Sequence, residues 1–199
     1  MKKYSFLIVL LSFGALLTRA QKGDAYTKTL LAYQKNYITT HEVVKEADRK
    51  YFRFYKPDPN YRFDCRVELS TDTTTVSMKT SANTTKYFKR YGHIVFKVHD
   101  TTCLLMLYKS LDPKMPVQYK DLLFLPFMDL TTGDESYGSG RYIDLYTTEI
   151  KDGYLPVDFN KAYNPYCAYA TGFRCPVPPR ENTLPVAIFA GEKNFAKPH

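Results

Sequence analysis

Between Tyr61 and Leu69 the chain reads YRFDCRVEL, and its side chains alternate. Tyr61, Phe63, Cys65, Val67 and Leu69 fall on one side of an extended strand, and Arg62, Asp64, Arg66 and Glu68 on the other. A period of two is the strand period, and an apolar face opposite a charged one fits a sheet with one buried side. A helix would scatter both sets around its circumference. The pattern recurs. TTTVSMKT follows, and GHIVFKVHD puts Ile94, Phe96 and Val98 on one face. CLLMLYKS and DLLFLPF are continuous apolar runs, which suit strands that are central or buried on both sides. GRYIDLYTTEI, YLPVDFN and LPVAIFAGEK complete a set of about eight short strands separated by polar turns. The expected fold is mainly β, an antiparallel barrel or sandwich with an N-terminal helical segment. The 18 Tyr and 13 Phe agree with strand preference.

The first 20 residues have a different grammar. Lys2 and Lys3 precede an apolar run of about 13 residues, closed by Thr18-Arg19-Ala20. That order is a secretory signal peptide with cleavage near Ala20. The run is short of the roughly 20 residues a spanning helix needs, so no transmembrane segment is expected after cleavage. The expected address is secreted or periplasmic. Residues 21–56 read as an N-terminal helical segment. Tyr26, Leu30, Tyr33 and Tyr37 form a helical stripe behind Asp24, and a second piece over 40–51 carries Val43, Val44 and Ala47. Residues 57–199 then form one β domain. Removing Lys2, Lys3 and Arg19 lowers the formal charge from +8 to about +5, on scattered residues. This excess is read as solubility, and no nucleic acid partner is expected.

Two stretches, FLPFMDLTTGDESYGSGRYIDL and VDFNKAYNPYCAYATGFRCPVPPRENTLPV, carry a specific likeness. The elements that carry it include Leu123 to Phe127, Asp129, Thr131, Tyr137, Gly138, Gly140, Arg141 and Tyr142. Asp158-Phe159-Asn160, Ala162 to Pro165, Cys167-Ala168-Tyr169, Cys175-Pro176 and Glu181-Asn182 extend it. With YFRFYKPDPNYRF, these residues resemble domain-of-unknown-function family 1684, an uncharacterised bacterial and archaeal family, from about Tyr51 to Lys193. The resemblance implies a family and brings no activity with it.

The polar residues of these segments are the candidate ligand contacts: Asp129, Arg141, Asp158, Asn160, Asn164, Glu181 and Asn182. Asp158 and Asn160 share the strand face opposite Val157 and Phe159. Gly133, Gly138 and Gly140 beside Arg141 suit either an anion-binding nest or a plain strand connection. Their spacing is not that of a phosphate loop, and no cofactor is expected. Tyr163, Tyr166 and Tyr169, three apart, suit carbohydrate or aromatic ligands, or the cap of a barrel end. Cys167 and Cys175 are the expected disulfide in an oxidising compartment. A catalytic Cys167 would need an imidazole, and nothing brings His93 or His99 near it. The eight-residue cysteine spacing does not suit zinc, so no metal is expected.

The leading expectation is a small-molecule or glycan binding module with a polar pocket, leaning against an enzyme. A metal-independent hydrolase using carboxylates of that pocket is the alternative. A structural envelope protein without a ligand is the other.

Overall fold

The computed structural model describes residues 24–197. The expected signal peptide lies outside the described residues. Helix α1 covers 24–40, and its stripe faces the protein, with Leu30 and Gln34 buried. The second expected helix is reduced to a 3-10 turn at Glu46–Tyr51. The chain leaves α1 at His41, whose Nδ1 accepts the amides of Val43 and Val44. Those amides are thereby lost to a continuing helix.

Seven strands follow: β1 Arg62–Leu69, β2 Thr75–Lys79, β3 Thr85–Val98, β4 Thr101–Ser110, β5 Leu122–Phe127, β6 Arg141–Tyr146 and β7 Tyr154–Asp158. They pair antiparallel in the order β6-β5-β4-β3-β1-β7, with β2 added on β3. The result is a nearly closed barrel with one N-terminal helix. Strand β3 is long enough to serve both ends, pairing β2 through Thr85 to Lys89 and β1 through Gly92 to Val95. A register shift between Arg90 and Gly92 bends it there. Gly92 is required at the bend, because a Cβ would stand 2.5 Å from the Glu68 carbonyl oxygen.

The main core fills the barrel with Cys65, Ile94, Phe96, Cys103, Leu105, Leu107, Leu123, Leu125, Ile143, Leu155 and Val157. Phe159 joins its two sides, its ring 5.2 Å from Phe96 and 5.3 Å from Phe127. Strands β4 and β5 are apolar on both faces for a reason. Their other side, with Tyr108, Met106 and Phe124, packs on Val76, Met78 and Phe88 as a second cluster. Leu104 departs from that reading and is exposed.

The eighth expected strand, LPVAIFAGEK, is not a strand. Leu184, Ile188 and Ala190 enter the main core, yet the segment forms no ladder beyond isolated bridges. Its backbone groups are divided between scattered backbone partners, such as Met128 for the Leu184 amide and Tyr55 for the Gly191 carbonyl, and two buried side chains. The Ile188 amide donates to Asp129 Oδ2, and Arg141 donates to the carbonyls of Ile188, Ala190 and Glu192. Apolar composition places this segment in the core, and the ion pair helps to fix its conformation.

Candidate functional site

The seven residues expected to line one pocket are distributed over four separate clusters, each bonded internally. Asp129 and Arg141 face each other in the core at 3.3 Å, both side chains without exposed surface. Asp129 also accepts from Thr131 Oγ1 at 3.0 Å and from the Ile188 amide at 2.6 Å. Burial pulls the Arg141 pKa down from its ordinary value, and Asp129 opposes that pull. A charge pair this deep needs further hydrogen bonds, and the fold supplies them to both carboxylate oxygens and both terminal guanidinium nitrogens, leaving Arg141 Nε without a partner. Asp158 and Asn160 come together, as their spacing predicts. Asp158 accepts from Tyr26 of α1 at 2.9 Å, and Asn160 clamps the backbone of Asp58 from both sides. Glu181 accepts from Arg90 and Tyr108, while Asn182 binds the Met106 amide and carbonyl and the Pro126 carbonyl. Asn164 holds the Lys193 carbonyl through Nδ2, and its amide donates to Glu192 at 2.9 Å.

Glu192, unremarkable in the sequence, is fully buried. It accepts from Tyr169 at 2.7 Å and from Tyr37 of α1 at 3.4 Å. Burial pushes its carboxyl up to about 7, against the opposing hydrogen bonds of Asn164, Tyr169 and Tyr37. The glycine loop between β5 and β6 also closes on itself. Gly133 and Gly140 have positive φ, Thr131 and Ser136 share a hydrogen bond, and Arg141 turns inward. At Gly140 a Cβ would meet the Phe127 oxygen at 2.7 Å. The glycines serve the turn.

The open cavity lies elsewhere, on the opposite face of β6. Strand alternation sends Arg141, Ile143 and Leu145 to the core and Tyr142, Asp144 and Tyr146 outward. These outward residues form the floor of a groove of about 1150 Å³. Tyr33 and Tyr37 of α1 form one wall, and the 165–176 loop forms another with Tyr166 and Phe173. Cys167 and Cys175 are disulfide-bonded in that loop, as expected. Tyr142 fastens the loop to the barrel by donating to the Pro176 carbonyl. Cys65 and Cys103 remain buried thiols. Of the three spaced tyrosines, Tyr163 and Tyr166 line the groove, and Tyr169 turns to Glu192.

Asp144 is the one floor residue of β6 that is exposed, and it is exposed within this groove. Tyr163 donates to its Oδ1 at 3.0 Å. The surrounding protein raises the Asp144 pKa by desolvation, and that hydrogen bond opposes the rise. Asp144 is not among the residues that the sequence singles out, although RYIDLY is expected as a strand. The alternation Tyr142, Asp144, Tyr146 was the available signal. Among the described residues, no group of three or more His, Cys, Asp and Glu is arranged to hold a metal ion.

Residues 49–193 match the family described as Protein of unknown function (DUF1684). The chain belongs to that family. A member-like fold has been solved by solution NMR, an uncharacterized protein of Haloarcula marismortui. It is 29% identical, with a TM-score of 0.63, over 87% of this chain and 96% of that one. No curated protein matches the chain.

Proposed function

We propose that this DUF1684 protein is a secreted or periplasmic binding module for a small organic molecule or glycan, and that the groove on the outer face of β6 is its site. The observation that carries the reading is the groove itself: a cavity of about 1150 Å³ lined by tyrosines, with one carboxylate on its floor. Tyrosine rings offer flat apolar faces and hydroxyls together, the combination that sugars and aromatic ligands need. The volume is slightly above the range of about 300–1,000 Å³ usual for small-molecule sites. The disulfide and the signal-like N-terminus support an oxidising address. No helix among the described residues is long and apolar enough to cross a membrane. Thermal-shift and NMR screening of the mature chain against glycans and small organic molecules tests the site. Hits are expected to perturb Tyr146 and Tyr166, and to weaken in Tyr146→Ala. A screen without hits, or hits that ignore the groove, would remove this reading. Mass spectrometry of the exported chain tests the address, with Gln21 as the expected first residue.

A second reading is a structural envelope protein without a ligand. It is favoured by the internal bonding of Asp129, Arg141, Asn160 and Asn182. It predicts an empty screen and a defect in envelope integrity on deletion.

A further inference from the structure

The groove has a specific electrostatic asymmetry. Asp144 has a single bonded partner among the described residues, the Tyr163 hydroxyl on Oδ1. Among the described residues its Oδ2 has no hydrogen-bond partner, and no Lys, Arg or His lies within ion-pair distance of it. The cationic side chains of the groove, including Lys86, Lys114 and Arg174, are exposed and leave the carboxylate unmatched. Around it stand tyrosine rings from three elements. Tyr33 comes from α1, Tyr146 from β6, and Tyr163 and Tyr166 from the segment before the disulfide. Each of these hydroxyls feels the Asp144 charge.

We propose that the groove selects an organic cation, an ammonium or guanidinium head on Asp144 Oδ2 with its carbon body on the faces of Tyr33, Tyr146 and Tyr166. This rests on the groove being a ligand site, as proposed above. Aromatic faces carry negative potential and attract cations, more strongly where water is excluded. The fold already uses the attraction at the groove's edge, where Lys161 Nζ sits 5.5 Å from the Tyr33 ring centre. A carboxylate among rings supplies the charge that a neutral sugar would not need. A cation there would also offset, by charge attraction, the desolvation that now disfavours ionised Asp144.

Matched ligands separate the head from the body. Benzylammonium, benzyl alcohol and benzoate share one ring and differ in charge. NMR titration of the mature chain should rank benzylammonium first, about tenfold or more above benzyl alcohol, with benzoate weakest. Asp144→Asn should erase that preference and leave the ring-driven binding of benzyl alcohol. Tyr166→Leu, which removes a ring and leaves the carboxylate, should weaken benzylammonium by about threefold or more. Circular dichroism checks that both variants fold, and the wild-type ranking stands without either. If benzyl alcohol, benzoate or methyl glycosides bind the groove as well as benzylammonium, the cation inference is overturned and the binding module survives. If none of these probes nor the wider glycan and small-molecule screen binds, both fall.

Discussion

Strand β6 carries two carboxylate environments that differ in almost everything except their address. On its inner face Arg141 meets Asp129, and both are sealed from water and bonded to the backbone of 188–192. On its outer face Asp144 has one hydroxyl partner and an open groove above it. The inner carboxylate is matched by a cation and fixes the conformation of a segment. The outer one is matched by no cation among the described residues and holds a single hydroxyl, that of Tyr163. A polar residue whose bonds are all spent on its own chain has nothing left for a ligand, so polarity inside a specific motif does not by itself mark a site.

The largest expected effect breaks the inner side. Arg141→Met strands the Asp129 carboxylate without its cation and frees the carbonyls of Ile188, Ala190 and Glu192. Loss of one partner from a buried pair costs about 3–5 kcal/mol, a large share of a domain's stability. Urea unfolding should show it, and a loss below about 1 kcal/mol would mean that the pair does not organise the 184–193 segment. Removing both charges together, in Asp129→Asn with Arg141→Met, should cost less than the sum of the single changes.

Next is Glu192, which joins the two regions. Its carboxylate bonds Tyr37 of α1, Tyr169 and the Asn164 amide, feels the Tyr33 hydroxyl and the charge of Arg141, and Arg141 bonds its backbone carbonyl. Its folded value of about 7 exceeds its ordinary 4.5. Between those values the folded chain keeps a proton that the unfolded chain has released. Stability therefore falls as pH rises through that window and stays lower above it. The contribution is on the order of 3 kcal/mol from pH 4.5 to pH 8. Glu192→Gln should flatten that slope relative to the wild type in urea melts. An unchanged slope would place the titration elsewhere.

The strands were legible because a buried face writes itself as a period of two, and Cys65, Ile94 and Val157 all sit where the alternation puts them. LPVAIFAGEK misleads because a core plug and a strand have the same apolar composition. What separates them is Arg141, 43 positions before Leu184, which claims the carbonyls a ladder would use. The site was less legible for a related reason. Asn182 and Asn160 look like ligand contacts until their backbone partners at Met106, Pro126 and Asp58 are known, and those are set by topology. Asp144 was readable as one residue on one face. The groove needs α1 and the disulfide loop, brought together only by the fold.

That loop gives the third effect. Cys167→Ser with Cys175→Ser opens a link across eight positions and should cost roughly 2 kcal/mol, chiefly by freeing the unfolded chain. The loss should fall on the groove more than on the barrel, since Tyr166 and Phe173 stand on the loop and the Asp129–Arg141 pair does not. Hydrogen exchange should quicken over 165–176 and stay slow in β4 and β5. Uniform quickening would show that the two regions are one cooperative unit.

The smallest expected effect is the sharpest test of the contrast. Asp144→Asn lies three residues from Arg141 on the same strand and removes a charge of the same sign as Asp129. Asn Oδ1 still accepts from Tyr163, and no cation among the described residues loses a partner. Desolvation raises the Asp144 pKa, so ionised Asp144 is a mild burden on the folded state, and removing it relieves that burden. Stability should stay within about 0.5 kcal/mol of the wild type, as for a surface change without a buried partner. Above the ordinary carboxylate range any shift should be a gain, because there the wild type bears the charge and the variant does not. A loss comparable to that of Arg141→Met would mean that Asp144 is structural, and that the groove holds its carboxylate for the fold.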